Sequence, residues 1–129
     1  MANKGTEAHF WADIRKHIPT AHWQRIESPT TGAGIPDVHG CLDGVSAWIE
    51  LKVVKGRRVL LTPQQCNWLT RYSTYGGRCY VVAQHVLSDT VYVWDGARAR
   101  DIKHDGTNAN GQTVTANWEE LENILFRLP

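Results

Sequence analysis

The sequence predicts a single domain of the α/β or α+β class, in which a central mixed sheet of about five strands is flanked by helices. A length of 129 residues suits one domain with one hydrophobic core, so we expect residues 1–129 to form it. The hydrophobic fraction of 42% is enough to build that core. Helical and strand-like patterns follow one another in the order helix, three strands, helix, two strands, helix.

The chain opens with a predicted helix. Thr6 is a suitable N-cap, and the helix should run to about Ile18, where Pro19 stops it. One face of this helix carries Glu7, Trp11, Ile14 and Ile18. Residues 22–28 are predicted to form a strand, and a Thr- and Gly-rich loop follows over residues 29–34.

Residues 36–54, PDVHGCLDGVSAWIELKVV, predict a β-hairpin. Two alternating runs flank Asp43-Gly44, a strong signal for a two-residue turn. Counting from that turn places Asp37 opposite Glu50. One face is wholly apolar and should pack on a helix; it carries Val38, Gly40, Leu42, Val45, Ala47, Ile49, Leu51 and Val53. The other face carries Asp37, His39, Cys41, Ser46, Trp48, Glu50 and Lys52.

The second half begins with a well-marked helix. Thr62 is its N-cap, Pro63 takes the first helical position and Gln65 completes a capping box, while Gly76-Gly77 ends it. After this helix, strands are predicted over residues 79–83 and 90–94, followed by a polar surface loop over residues 102–113. A last helix is then predicted, with Asn117 and Glu120 as its capping residues. Its apolar residues are Leu121, Ile124, Leu125 and Leu128.

Composition narrows the functional classes. The net charge of +1 does not by itself indicate nucleic acid, so such a partner must be argued from where the charges lie. The three cysteines, Cys41, Cys66 and Cys79, lack paired or zinc-site spacing and favour a reducing compartment. Because the first ten residues, MANKGTEAHF, lack a secretory apolar segment and no run is long enough to span a membrane, we expect a soluble cytoplasmic protein.

Charged residues on the open face of the hairpin indicate a cation site. Carboxylates directly opposite each other, as predicted for Asp37 and Glu50, repel unless a cation lies between them. Mg²⁺ takes such oxygens, and Lys52 on the same face would stabilise charge on a phosphate undergoing reaction. The alternative is an ordinary solvated face, and a longer turn would shift the register.

The same residues resemble the PD-(D/E)xK nuclease superfamily. Pro36-Asp37 matches the PD element, and Glu50-Leu51-Lys52, thirteen residues after the aspartate, matches ExK. The stretch LKVVKGRRVLLTPQQCNWLTRYSTYGGRCYVV is similar to the VRR-NUC group and to archaeal-type Holliday-junction resolvases. The resemblance covers roughly the first two-thirds of the chain. It implies a restriction-endonuclease-like core and a nuclease that depends on Mg²⁺ or Mn²⁺.

The resemblance also implies roles for individual residues. Asp37, Glu50 and the backbone carbonyl of Leu51 would hold the metal, and Lys52 would orient or activate the attacking water. Glu7 would match an acidic residue that reaches the metal directly or through water, although an acid is favoured in a first helical turn anyway. Gln65 would match a glutamine near the site, although its capping box already accounts for it.

Basic residues follow the predicted catalytic strand. Lys55, Arg57 and Arg58 lie in one loop, where phosphate contacts are the obvious use and solvation is the alternative. Arg71 and Arg78 are candidates to extend the patch. Ser28 and Thr31 are candidates for a phosphate contact or, more simply, for capping the loop.

The sequence therefore predicts a metal-dependent DNA endonuclease. The resolvase resemblance suggests a branched or structured DNA substrate and a homodimer with two equivalent sites. The alternatives are a flap- or end-directed repair nuclease, a restriction-type nuclease, and a nucleic-acid-binding protein that kept the fold but lost the chemistry.

Overall fold

The computed structural model describes residues 5–26 and 33–127. The helices are α1 (Glu7–His17), α2 (Pro63–Thr74), α3 (Ala99–Asp105) and α4 (Trp118–Phe126). The strands are β1 (His22–Arg25), β2 (Val38–Leu42), β3 (Val45–Val54), β4 (Cys79–His85), β5 (Val91–Asp95) and β6 (Thr113–Thr115). Short 3-10 turns at Gly96–Arg98 and Gly106–Asn108 flank α3.

The strands form one six-stranded sheet in the order β1-β2-β3-β4-β5-β6. Strands β3 and β4 are parallel and are connected through α2, whereas the other neighbouring strands pair antiparallel. The mixed sheet flanked by helices is confirmed, with one strand more than expected. Strand β6 is the addition, since its three residues carry too short a pattern to stand out in the sequence.

Hydrophobic residues pack on both faces of the sheet. Helices α1 and α4 cover one face, where Phe10, Ile14 and Leu121 join the apolar residues of the hairpin. Helices α2 and α3 cover the other face, where Leu69 and Ile102 are fully buried. None of the helices in the described ranges has the length and apolar character that crossing a membrane requires.

The hairpin adopts the predicted register. Asp43 and Gly44 have φ angles of 52° and 82°, as a two-residue turn between twisted strands requires. Pairing then runs from Leu42 opposite Val45 to Val38 opposite Ile49. Asp37 and Glu50 are the next positions in this register, so the two carboxyl groups meet at the open end of the hairpin.

The predicted surface loop over residues 102–113 is wrong except at residues 109–112, which do form a loop. The segment from Ala99 folds as α3, a 3-10 turn and β6. Ala99 and Ile102 are fully buried, so two apolar residues one turn apart are enough to hold a short helix against α2. The indole of Trp94 donates to the carbonyl of Ala109 at 3.1 Å and holds the following turn on the sheet.

Two further predictions reach beyond the described residues. Strand β1 ends at Arg25 rather than at Ser28. Residues 27–32, which include Ser28 and Thr31, lie outside the described part of the chain, as does Leu128 at the end of the last predicted helix.

We predict that Gly106→Ala destabilises the fold by about 1–3 kcal/mol. Gly106 has a φ of 63°, and a Cβ there would collide with the backbone carbonyl of Arg57. The same carbonyl accepts a hydrogen bond from the Thr107 amide at 2.7 Å, so the collision would separate two segments that are tied together. Chemical denaturation measures the loss. Gly56→Ala is the matched control, since nothing lies within 4 Å of a Cβ at that position. Equal midpoints for the two variants would contradict the prediction.

Candidate active site

Asp37 is held between the strands on either side of it. The residue directly precedes β2, and its Oδ2 atom accepts a hydrogen bond of 2.9 Å from the amide of Leu51 on β3. Its own carbonyl accepts a 2.8 Å bond from the amide of Ile26, just beyond β1. The position of its carboxyl group is therefore set by backbone on both sides.

Glu50 lies in the middle of β3 and is only 1% exposed. Its Oε2 atom accepts a hydrogen bond from Gln65 Nε2 at 3.1 Å and lies 3.5 Å from the ammonium of Lys52. Its Oε1 atom is buried, and no donor among the described residues reaches it. The alternative of an ordinary solvated face is therefore wrong for Glu50.

The environment of Glu50 opposes its ionisation. Burial, followed by the charge of Asp37, raises the pKa of Glu50 from 4.5 to about 9. Lys52 lowers the pKa but does not offset these effects. Without a cation, the pair holds a proton that a cation would displace.

Gln65 connects the site to the start of α2. The predicted capping box is confirmed, with the Thr62 amide donating to Gln65 Oε1 at 2.9 Å and the Gln65 amide donating to Thr62 Oγ1 at 3.1 Å. The same Oε1 also accepts from Lys52 Nζ at 3.3 Å, while Nε2 points to Glu50. The sequence offered both a cap and a place near the site for Gln65, and the structure adds these two contacts.

Glu7 lies in the first turn of α1 and is exposed, unlike Trp11 and the residues that follow it on the same helical face. Partial burial of its carboxyl group raises its pKa, and the charge of Asp37 raises it further. Lys52 and Arg25 act in the opposite direction. Glu7 is therefore within electrostatic reach of the site, and Arg25 is a neighbouring cation that sequence reasoning missed.

The donor set suits a hard cation that keeps much of its own water. Within residues 5–26 and 33–127, no group of three or more His, Cys, Asp or Glu side chains could hold a metal ion as they stand. Asp37 and Glu50 form a pair, and Mg²⁺ is commonly bound by one or two carboxylates together with several waters. The unpartnered, buried Oε1 atom of Glu50 is the feature that fits such an ion.

The basic loop, residues 55–58, follows β3 on the side of Lys52. Lys55, Arg57 and Arg58 are all exposed. Arg78 does not extend this patch, since it lies at the start of β4, at the opposite end of the parallel strand pair. Its guanidinium donates to the Tyr80 hydroxyl at 2.9 Å and to the Leu125 carbonyl at 3.2 Å.

Comparison with known proteins supports the fold. The Holliday junction resolvase Hjc of the archaeal hyperthermophile Archaeoglobus fulgidus is similar in structure, with a TM-score of 0.54 and 16% sequence identity. The similarity covers 70% of this chain and 74% of the resolvase. The sequence matches no protein-family model and no curated protein. At this identity the similarity shows that the two proteins share a fold.

We predict that the metal-free protein loses stability as the pH rises from about 5 to about 9. The pKa of Glu50 is raised from 4.5 to about 9 on folding, so between these values the folded chain holds a proton that the unfolded chain has released. The stabilisation is complete below the lower pKa and is lost as the pH rises through the higher one. Denaturation in EDTA at several pH values should show this fall, with Glu50 contributing up to about 1.4 kcal/mol per pH unit.

Glu50→Gln should remove this contribution, because an amide does not titrate. Asp43→Asn is the matched control, since Asp43 is exposed in the hairpin turn and asparagine also adopts its positive φ. The control should follow the wild-type profile. Parallel profiles for the wild type and Glu50→Gln would show that Glu50 is already ionised in the folded chain.

Proposed function

We propose that this protein is a divalent-metal-dependent DNA endonuclease that hydrolyses phosphodiester bonds in branched or structured DNA. The observation that carries the proposal is the pairing of the half-buried Asp37 with the buried Glu50, whose Oε1 atom has no donor among the described residues. Such a pair is costly to keep in a fold unless a cation uses it, and perturbed carboxyl pKa values of this kind are typical of functional sites.

Asp37, Glu50 and the backbone carbonyl of Leu51 would hold the ion. Each carboxyl group already has one oxygen engaged by the protein, since Asp37 Oδ2 accepts from Leu51 and Glu50 Oε2 accepts from Gln65. The remaining oxygens are those available to Mg²⁺ or Mn²⁺. The metal supplies Lewis-acid polarisation of the phosphate and a lowered pKa for the attacking water. Glu7 would contribute from the edge of the site, directly or through water.

Lys52 would place its ammonium beside the reacting phosphate. Its side chain is 14% exposed, so it is restrained by protein while one side remains open to substrate. Two acceptors, Glu50 Oε2 and Gln65 Oε1, set the position of Nζ. A fixed ammonium stabilises charge that develops on the phosphate or orients the water. Gln65 is a positioning residue, because it contacts both Glu50 and Lys52 and its own direction is set by the helix cap.

The fold shared with a Holliday junction resolvase supports the choice of substrate class. A branched junction is cut on two strands, which a homodimer with two equivalent sites would do symmetrically. Such an activity would serve DNA recombination or repair. Lys55, Arg57 and Arg58 would contact phosphates beside the site.

Two other functions fit the same site less well. A flap- or end-directed repair nuclease would use identical chemistry and would differ in which substrate is cut fastest. A nucleic-acid-binding protein without catalysis would not need Asp37, Glu50 and Lys52 together. The intact trio therefore favours an enzyme.

We predict that Asp37→Asn and Glu50→Gln each abolish cleavage while the fold is retained. Labelled four-way junction, flap, splayed-arm and linear duplex substrates are incubated with Mg²⁺ or with EDTA, and circular dichroism checks folding. The wild type should cut only with the metal and should cut the junction fastest. Asp43→Asn should cut like the wild type. A wild-type cleavage rate in either site variant would show that the substituted carboxyl group is not part of the active site. Faster cleavage of flaps than of junctions would favour the repair nuclease.

We predict that Lys52→Ala acts on the chemical step more than on binding. The single-turnover rate at saturating enzyme should fall by about 10²-fold or more. Affinity for the junction, measured with Ca²⁺ in place of Mg²⁺, should fall far less. Lys16→Ala removes an exposed lysine from α1 and is the matched control. Recovery of the full rate at saturating enzyme would reduce Lys52 to one phosphate contact among several.

A further inference from the structure

Helix α3 and the basic loop together form a surface that the sequence did not predict. A cavity of about 400 Å³ between α2 and α3 is lined by Pro63, Cys66, Asn67, Arg100, Lys103 and His104. A neighbouring cavity of about 550 Å³ is lined by the basic residues Arg57, Arg58, Lys103 and His104 together with Asp105, Gly106 and Asn108. Because Lys103 and His104 line both, the two cavities are adjacent, and we refer to them together as the α2–α3 groove.

The fold fixes the two sides of this groove relative to each other. The amide of Thr107 donates to the carbonyl of Arg57 at 2.7 Å, which ties the turn after α3 to the basic loop. The thiol of Cys66 on α2 lies 3.7 Å from the carbonyl of Ala99 on α3. The cations of the groove are therefore carried by segments that are held together rather than by independent loops.

The cations that border the groove are available to an anion. Arg98, in the turn before α3, pairs with Asp101 at 3.6 Å, and His104 on α3 pairs with Asp105 at 2.7 Å. Among the residues that the structure describes, Arg57, Arg58 and Lys103 form no ion pair. Arg100 has only a long hydrogen bond of 3.5 Å to the Asn67 amide oxygen. Several unpaired cations along one groove suit a chain of phosphates better than a single anion.

The groove borders helix α2, which supplies Gln65 to the candidate active site. Cys66 lines the groove and directly follows Gln65, whose side chain contacts Glu50 and Lys52. Arg100, Lys103 and Lys52 all act electrostatically on the same Cys66 thiol. A DNA strand whose scissile phosphate lies at Lys52 can therefore continue past the start of α2 into the groove.

We propose that the α2–α3 groove binds the phosphate backbone of the DNA arm that leads away from the scissile bond, with Arg100 and Lys103 as its contacts on α3. This inference rests on the proposed endonuclease function and extends the binding surface beyond the basic loop. Contacts to phosphate fix the position of the arm and carry no base sequence information.

The test is the salt dependence of DNA binding by the full chain. A labelled linear duplex and a labelled four-way junction are titrated with Ca²⁺ in place of Mg²⁺ at several salt concentrations. Arg100→Gln with Lys103→Gln should weaken binding to both probes and reduce the slope of log affinity against log salt by up to about 2, since each lost phosphate contact removes about 0.9. The matched control is Arg98→Gln with Lys16→Gln, which also removes two positive charges. Arg98 is ion-paired with Asp101 and Lys16 lies on α1, so this variant should leave the slope unchanged.

The outcomes distinguish the proposal for the groove from the proposal that the protein is an endonuclease. An unchanged slope of log affinity against log salt in the Arg100→Gln, Lys103→Gln variant overturns the proposal that the groove binds DNA, even if the wild type cuts DNA. A wild type that binds with the expected slopes but never cuts overturns the endonuclease proposal and keeps the groove. A wild type that binds neither probe overturns both. Because both side chains are exposed, the variant should melt like the wild type, and each single substitution should give about half the effect.

Discussion

The buried carboxyl group of Glu50 is the constraint on which the rest of this structure depends. It lies in a central strand, 1% exposed and beside Asp37, and these surroundings raise its pKa to about 9. A carboxylate in such a place must take up a proton or be neutralised by cations. Lys52 supplies part of that neutralisation at 3.5 Å, and Gln65 donates a hydrogen bond to the same oxygen. The other oxygen has no donor among the described residues, so the fold retains a strong acceptor that it does not satisfy itself.

The start of helix α2 is part of the same arrangement. Gln65 Oε1 accepts from the Thr62 amide and from Lys52, so the helix cap determines the direction of the side-chain amide. With Oε1 engaged in this way, Nε2 is directed at Glu50. Gln65, which caps the start of α2, therefore also orients the side chains of Glu50 and Lys52. This connection explains why a capping box, usually a local feature of stability, lies directly above the middle of β3.

The candidate site was more predictable from the sequence than the C-terminal part of the fold. A two-residue turn at Asp43-Gly44 determines the register of β2 and β3, and a period of two determines which side chains share a face, so the approach of Asp37 to Glu50 follows from counting. Helix α3 offered no comparable local signal. The helix has only seven residues. In the sequence, Ala99 and Ile102 are isolated apolar residues in a polar segment, and their burial becomes evident only from their packing with α2 and the sheet. The resemblance placed Gln65 near the site, but its contacts with Glu50 and Lys52 depend on a side-chain direction in three dimensions that the sequence does not give.

The position of α3 also explains how a protein with a net charge of +1 can present a basic surface. The acidic residues of the protein are not spread evenly. Three of them, Glu119, Glu120 and Glu122, lie on α4, which packs on the sheet face opposite to α2 and α3. The unpaired cations Arg57, Arg58 and Lys103 line one cavity on the α2–α3 side. The local charge therefore differs between the two faces, and the total charge hides this difference. Because the sheet separates the two faces, the order in which the fold places its helices determines which side of the molecule carries these unpaired cations.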